Sequence, residues 1–246
     1  MSVRYRLIVE YDGTGYHGWQ LQPNGRTVQG TLEEALATLF GEPIRIHASG
    51  RTDAGVHAAG QVVAFRVATV RDCRQIRTAL NALTPRDISV REVTEVADDF
   101  DPRRHARSRV YEYRIWNEPW PSAFWHRYAW HVSRSFDVRA MRRAATVLSG
   151  EHDFSAFRSA DCNAKTPIRR VFQSGVTEAE NMLVYRVHAN SFLQHMVRTI
   201  VGTLVQVGTG DLLADAMSDI LASRDRGRAG PTAPARGLTL VAVNYE

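Results

Sequence analysis

This sequence lacks the features of an exported, membrane-bound or metal-containing protein. Its two cysteines, Cys73 and Cys162, form no Cys-x-x-Cys pair, so neither a disulfide framework nor a thiolate metal site is expected. The start of the chain has no apolar signal core, and the longest apolar helix candidate, near residues 196–207, contains Arg198. We therefore expect a cytoplasmic protein with no membrane span.

Lysine is nearly absent, since Lys165 is the only lysine among 31 Lys and Arg residues. The net charge is +5 and the sequence pI is about 9.5, which favours an anionic partner. The planar guanidinium of arginine suits phosphate and nucleobase contacts, so the composition is compatible with RNA binding. A genome-wide codon preference for Arg and Ala would produce the same bias, and composition alone leaves both explanations open.

With 246 residues, of which 44% are hydrophobic, the chain is long enough for one large domain or two smaller ones. Apolar periodicity in the first hundred residues predicts β-α-β-β-α-β. The predicted strands are Val3–Tyr11, Ile44–Ala48, Gln61–Val67 and Ile88–Val93. One helix begins between Thr27 and Thr31 and ends at Gly41, and a second helix containing Ile76, Leu80 and Leu83 is closed by Pro85.

The same order of elements returns after residue 101, interrupted by an aromatic insertion from Trp116 to Trp130. The predicted elements are strands at 110–117, 170–176, 183–189 and 238–245, and helices at 138–148, 194–207 and 211–222. We therefore predict an α+β protein of two ferredoxin-like, RRM-like halves, residues 1–102 and 103–246, with abutting antiparallel sheets and a central cleft.

The segment Gly13–Gly18 matches the dinucleotide-binding pattern Gly-x-Gly-x-x-Gly and follows a predicted strand. That pattern also requires a helix to begin there, because the helix N-terminus holds the pyrophosphate. Here the chain continues into Pro23-Asn24-Gly25, which is typical of a loop. We therefore reject the nucleotide-binding interpretation.

The stretch Gly50–Ala58 concentrates polar and small residues between two predicted strands. Gly50 and Gly55 permit a tight loop that brings Arg51 and Asp53 close together. On spacing alone, most such Arg-x-Asp loops are ordinary surface turns, in which Asp53 caps its own backbone and Arg51 is merely solvated. His57 follows Asp53 by four residues, and we expect it to help shape the loop.

Arg198 and a pair of tyrosines are further candidates for a functional role. Arg198 interrupts the apolar stripe of its helix, so it either reaches solvent, pairs locally, or flanks Asp53 together with Arg51 and keeps that carboxylate ionised. Tyr111 and Tyr113 lie two residues apart and so on the same face of a predicted strand, as in RNA-binding sheets, although one facing the core and the other solvent remains an alternative. The nine histidines have no metal-ligand spacing, and there is no Gly-x-Ser-x-Gly motif.

Several long motifs occur in one order along nearly the whole chain. They are Tyr11-Asp12-Gly13-Thr14-Gly15-Tyr16-x-Gly18-Trp19-Gln20, Val28-Gln29-Gly30-x-Leu32-Glu33, Gly50-Arg51-Thr52-Asp53-Ala54-Gly55-Val56-His57-Ala58, Ala106-Arg107-Ser108-Arg109-x-Tyr111-x-Tyr113, His152-Asp153-Phe154-x-x-Phe157-Arg158 and Asn190-x-Phe192-Leu193-x-His195-Met196-Val197-Arg198. Together these motifs resemble the TruA family of tRNA pseudouridine synthases.

The resemblance implies an isomerase that converts uridine to pseudouridine at positions 38, 39 and 40 of the tRNA anticodon arm, without cofactor or metal, as a homodimer. By match to the motifs, Asp53 is the catalytic aspartate, Tyr111 contacts the target base and Arg198 pairs with the aspartate. The near absence of lysine leaves the individual phosphate contacts undefined, because arginines at shifted places can replace lysines.

We also expect a basic cleft that grips the anticodon stem, lined by Arg51, Arg103 to Arg109, Arg158 and Arg169-Arg170. Two rival functions can be tested, of which the second is already disfavoured by the loop that follows Gly18. A non-catalytic protein of tandem RRM-like halves would keep the basic cleft and Tyr111 but would not need the Asp53 carboxylate. A nucleotide-dependent oxidoreductase would use Gly13–Gly18, and cofactor titration would reveal it.

Overall fold

A computed structural model describes residues 2–246 and divides the chain into two units. The first contains the residues up to Arg107 together with Thr239–Glu246, and the second contains Ser108–Leu238. Helices and mostly antiparallel strands occur in both units, which confirms the predicted α+β class. Within residues 2–246, no helix has the length and apolar character that crossing a membrane requires.

The first unit has the predicted β-α-β-β-α-β order. Its elements are β1 (Val3–Tyr11), α1 (Val28–Phe40), β2 (His47–Ala48), β3 (His57–Val67), α2 (Cys73–Leu83) and β4 (Ile88–Val96). Strand β1 lies between β3 and β4 and is antiparallel to both, and β2 pairs antiparallel with β3. The order β4-β1-β3-β2 is that of a split β-α-β unit.

Local sequence explains most of these elements. Alternate residues of β1, namely Tyr5, Leu7, Val9 and Tyr11, are buried on one face of the sheet. Helix α1 begins after Thr27, whose hydroxyl accepts the Gly30 N–H, and ends at Gly41 in the left-handed conformation (φ 76°). Thr31 and Glu34 also have the sequence spacing of a capping box, but Thr31 lies inside the helix and Thr27 is the N-cap.

Two predicted strand boundaries near the Gly50–Ala58 stretch were wrong. Strand β2 has only two residues instead of the five predicted at 44–48, and β3 begins at His57 rather than Gln61. His57 and Ala58 were predicted to lie in the loop, but pairing of Ala58 with Tyr11 extends the strand backwards to include them. This long-range pairing overrides the weak local preference of the sequence.

The second unit contains β5 (Ser108–Trp116), β6 (Trp130–His131), α3 (Val138–Thr146), β7 (Gly150–Asp153), β8 (Ile168–Ala179), β9 (Met182–Ala189), α4 (Met196–Gly208) and α5 (Ala216–Ser223). Strands β5, β9, β8 and β7 are antiparallel neighbours in that order, and β6 runs parallel to β5. Neither β6 nor β7 was predicted, because neither has an apolar alternation of its own.

A buried hydrogen-bond chain joins the sheet of the second unit to α3. The Tyr185 hydroxyl lies 3.0 Å from Ser174 Oγ, and Ser174 donates to the carbonyl oxygen of Ala145 at 2.7 Å. Burial raises the pKa of Tyr185 far above its ordinary value, so its hydroxyl stays protonated. The chain satisfies polar groups that would otherwise destabilise this core.

The last strand, β10 (Leu238–Asn244), was predicted to complete the second half of the chain. Its residues Thr239 and Leu240 pair in parallel with His57 and Ala58 of β3, inside the first unit. Gly60 permits this approach, because a Cβ there would lie 2.5 Å from the carbonyl oxygen of Val241. The predicted halves, 1–102 and 103–246, stay a prediction about how the chain is organised.

Candidate active site

The loop between β2 and β3 contains Asp53 and is closed at its base by Gln61. This side chain, fully buried in β3, accepts a hydrogen bond from Ser49 Oγ at 2.7 Å and donates to the carbonyl oxygen of Gly50 at 2.9 Å. The Ser49 N–H also donates to the carbonyl oxygen of Val62 at 2.8 Å. The start of the loop is therefore attached to β3, the strand into which its other end continues.

The residue before Asp53 is held at two points. The carbonyl oxygen of Thr52 accepts the Trp19 N–H at 3.0 Å, and Thr52 Oγ1 shares a hydrogen bond of 2.8 Å with the hydroxyl of Tyr11. Tyr11, Trp19 and Thr52 are all buried. The backbone that leads into Asp53 thus has little freedom to move.

The residues after Asp53 form a tight turn packed against the Gly13–Gly18 segment. The Val56 N–H donates to the carbonyl oxygen of Asp53 at 3.1 Å, and Gly55 adopts the left-handed conformation (φ 77°) that the turn requires. A Cβ at Gly13 would lie 2.0 Å from the carbonyl oxygen of Val56, and one at Gly18 would lie 2.8 Å from that of Thr52. These two glycines therefore allow the backbone of the Asp53 loop to pack directly on the backbone of the Gly13–Gly18 segment.

The Gly13–Gly18 segment opens no helix. It forms a single 3-10 turn over Gly13–Gly15, after which Tyr16 is extended. This agrees with rejecting the dinucleotide-binding interpretation, because no helix N-terminus is available there to hold a pyrophosphate. The glycine spacing is explained instead by contact with the Asp53 loop.

At the end of the loop, His57 forms a hydrogen bond with the Gly13–Gly18 segment. Its side chain is buried, its Nδ1 accepts the Gly13 N–H at 3.0 Å, and Asp12 Oδ1 lies 3.2 Å from that nitrogen. His57 therefore has the loop-shaping role that the sequence predicted, although from a strand.

Asp53 itself is half-buried, whereas Arg51 is exposed. The predicted pairing of these two side chains stays a prediction. The hydrogen bonds around the loop identify residues that the sequence did not single out, namely Tyr11, Thr52 and Gln61. Tyr11 and Thr52 lie inside quoted motifs, and that position was the only signal that could have marked them.

In the second unit, the tyrosines of β5 differ in environment. Tyr111 is half-buried, and its ring meets the ring of Phe192 edge-on, with centroids 5.0 Å apart. Tyr113 is fully buried, and its hydroxyl donates to the carbonyl oxygen of Pro234 at 2.7 Å. Of the two, only Tyr111 is partly exposed.

Arg198 of α4 lies in the same region of the second unit. Its Nε donates to the carbonyl oxygen of Ala233 at 2.8 Å, and the side chain is half-buried. Burial raises the pKa of Tyr113, and the positive charges of Arg198 and Arg236 act in the opposite direction. The second unit therefore brings Arg198 near Tyr113, two residues from Tyr111.

The other predicted RNA-contacting arginines differ in accessibility. Arg103 is exposed, in a turn where Asp101 Oδ1 accepts the backbone N–H groups of Arg103 and Arg104. Burial opposes ionisation of Asp101, but these two hydrogen bonds hold its pKa below the ordinary value. Arg158 is half-buried near Asp153, whose carboxylate also pairs with Arg224 at 3.2 Å.

Arg169 does not fit the expected basic cleft. It is buried, and its Nη1 donates to the carbonyl oxygens of Thr166 and Ile168 at 2.8 and 2.6 Å. Its neighbour Arg170 is exposed, with its guanidinium 5.7 Å from the centre of the Phe172 ring. Arg170 is therefore available to a phosphate, whereas Arg169 stabilises its own strand end.

Among residues 2–246, no three His, Cys, Asp or Glu side chains are grouped so that they could hold a metal ion. The candidate site offers a half-buried carboxylate in a fixed loop, a partly exposed tyrosine and several arginines. The absence of a cofactor stays an expectation from the resemblance.

Comparisons with known proteins place these residues in a family. A family model described as tRNA pseudouridine synthase matches residues 7–103 and 144–246. The chain is 46% identical over 240 residues to tRNA pseudouridine synthase A of Geotalea uraniireducens, covering 98% of both chains. It is 49% identical over 245 residues to that of Methylobacterium sp. strain 4-46, covering 98% of this chain and 97% of the relative. It is 46% identical over 243 residues to that of Myxococcus xanthus, with coverages of 98% and 92%. The chain therefore belongs to the tRNA pseudouridine synthase family.

Proposed function

We propose that this protein isomerises uridine to pseudouridine at positions 38, 39 and 40 of the tRNA anticodon arm, with Asp53 as the catalytic residue. Membership of the family supports isomerisation of tRNA uridine in general. The observation that carries the assignment of Asp53 is the fixed loop. Thr52 and Val56 on either side are buried, while Asp53 between them is only half-buried. A preorganised carboxylate of this kind suits chemistry at a sugar carbon.

The reaction requires one carboxylate rather than two. The bond from C1′ to N1 breaks, the uracil turns, and C1′ joins C5, so the leaving group is also the attacking group. A glycoside hydrolase needs a second carboxyl group because it must activate water and protonate a leaving oxygen. Here water has to be excluded, which is achieved when the target uridine is flipped into a closed pocket. Direct attack by Asp53 on C1′ and removal of the 2′ proton are both compatible with this arrangement.

Tyr111 is proposed to contact the flipped uracil. Its half-buried ring, supported edge-on by Phe192, presents a surface on which a base can stack. The phenol is also a candidate for moving the C5 proton. Arg198 is proposed to pair with Asp53 and favour its ionised form. No cofactor or metal takes part in this scheme.

The activity is tested by tritium release from tRNA labelled at uridine C5. We expect release from transcripts that carry uridine at 38, 39 or 40, and none from transcripts in which all three are replaced by cytidine. Release from the fully replaced transcripts at the same rate would contradict the proposed positions while leaving the isomerase activity intact. Failure to release tritium from any tRNA would contradict the activity itself.

Binding of tRNA is proposed to depend on arginines, among them Arg51, Arg103, Arg158 and Arg170. We expect the logarithm of the affinity to fall linearly with the logarithm of salt concentration, because each phosphate contact releases counterions. Arg51→Gln should reduce the slope by about one. Arg77→Gln, on the exposed face of α2, is the matched control and should leave the slope unchanged. A slope near zero for the wild type would contradict the proposed basic surface.

We further propose that the protein is a cytoplasmic homodimer and that the aromatic insertion contributes to its interface. Trp120 and Phe124 are 78% and 87% exposed, and Trp125 and Tyr128 are partly exposed as well, which is unusual for a solvated surface. Phe124→Asp should therefore shift the mass measured by light scattering from dimer to monomer. Leu213→Asp, at a residue that is 81% exposed, is the control and should remain a dimer. A dimer unaffected by Phe124→Asp would exclude this surface.

A further inference from the structure

Tyr11, the last residue of β1, reaches the candidate catalytic loop from outside it. Its hydroxyl lies 2.8 Å from Thr52 Oγ1, a contact between residues 41 positions apart. Tyr11 is 3% exposed and Thr52 is 7% exposed, so neither side chain is available to a macromolecular substrate. Any effect of Tyr11 on the reaction must therefore act through another residue.

The ring of Tyr11 also has a fixed neighbour. It packs on the ring of Trp19, with centroids 6.0 Å apart, and the Trp19 N–H donates to the carbonyl oxygen of Thr52. Tyr11 and Trp19 thus fix the side chain and the backbone of Thr52 respectively. The next residue along the chain is Asp53.

We propose that Tyr11 is a positioning residue for the isomerisation, whose hydroxyl fixes Thr52 and so sets the direction in which the Asp53 side chain leaves the backbone. This inference rests on the proposed catalytic role of Asp53. A phenylalanine ring at this position would fill the same space against Trp19 but would lack the hydroxyl.

A carboxylate that acts at a sugar carbon must be placed to within a fraction of an ångström, and a misplacement of about 1 Å costs roughly 100-fold in rate. Tyr11→Phe removes only the hydroxyl of Tyr11, so the buried hydroxyl of Thr52 loses this hydrogen-bond partner. We expect kcat to fall by about 10-fold to 100-fold. KM should stay nearly unchanged, because Tyr11 and Thr52 are both buried and neither contacts tRNA directly.

The matched control is Tyr5→Phe, in the same strand. Tyr5 is fully buried, and its hydroxyl donates to the carbonyl oxygen of Arg71 at 2.7 Å and accepts the Arg71 N–H at 3.0 Å. The two variants lose the same group from similarly buried sites. Both should show a lower urea midpoint, but only Tyr11→Phe should lose kcat in the tritium-release assay. Equal kcat values for the two variants would overturn the proposal.

Variants of Thr52 provide a second, independent test that does not depend on the folding of Tyr11→Phe. Thr52→Val keeps the shape and removes the hydroxyl, so its kcat should fall as far as that of Tyr11→Phe. Thr52→Ser retains the hydroxyl and should keep a kcat near that of the wild type. Combining Tyr11→Phe with Thr52→Val should cost no more than either change alone, because both remove one contact. Equal losses for Thr52→Val and Thr52→Ser would also overturn the proposal.

The assay of Asp53→Asn separates this inference from the function on which it rests. If Asp53→Asn were inactive while Tyr11→Phe were fully active, the positioning role of Tyr11 would be contradicted and the catalytic role of Asp53 would still be supported. An active Asp53→Asn protein would remove the assigned role of Asp53 and, with it, the basis for positioning by Tyr11.

Discussion

Asp53→Asn should abolish tritium release from tRNA while the protein still binds tRNA with nearly wild-type affinity. The substitution keeps the size of the side chain and removes its charge, so the buried contacts of Thr52 and Val56 on either side can persist. An amide neither attacks C1′ nor accepts the 2′ proton at neutral pH. Loss of a residue that forms or breaks bonds typically lowers kcat by about 1000-fold or more.

Single-turnover tritium release, with binding measured separately by filter retention, tests this prediction. Asp72→Asn is the matched control, because Asp72 caps α2 by accepting the Gln75 N–H and asparagine caps helices nearly as well. Asp72→Asn should be fully active. If neither the wild type nor Asp53→Asn releases tritium although both bind tRNA, the non-catalytic RNA-binding alternative becomes the correct one.

Gly13→Ala should be the most damaging small substitution near the loop. The added methyl group would lie 2.0 Å from the carbonyl oxygen of Val56, which is backbone and cannot rotate away. Either the 3-10 turn or the Asp53 loop must shift. We expect a loss of about 1–3 kcal/mol in the free energy of unfolding, the usual range for overpacking a filled site. We also expect a fall in kcat of about 100-fold, because Asp53 is three residues from Val56 and moves with it.

Gly15→Ala is the control for this substitution. Gly15 belongs to the same 3-10 turn, but nothing lies within 4 Å of a Cβ at that position. Its unfolding in urea and its kcat should therefore match the wild type. If Gly13→Ala were as stable and as active as Gly15→Ala, the packing of Val56 on Gly13 would have no role in holding the loop.

The region around the loop shows which features were predictable. The alternation in β1, the cap at Thr27 and the left-handed Gly41 are local properties of a few neighbouring residues, so the sequence predicted the strand and helix correctly. The loop from Gly50 was identified through its motif, because glycine and polar residues interrupt two apolar segments. His57 was assigned to the loop incorrectly, since its place in β3 depends on partners in β1 and β10.

By itself, the sequence determined the α+β class, most helix and strand positions, the family, and Asp53 as the residue to test. These depend on periodicity, caps and motifs, each readable within a short window of the chain. The tertiary structure alone decided that Tyr11 meets Thr52, that His57 accepts a bond from Gly13, that Arg169 is buried and that β10 pairs with β3. Most of these contacts join residues 41 or more positions apart, and their formation depends on the folded sheet rather than on local conformational preference.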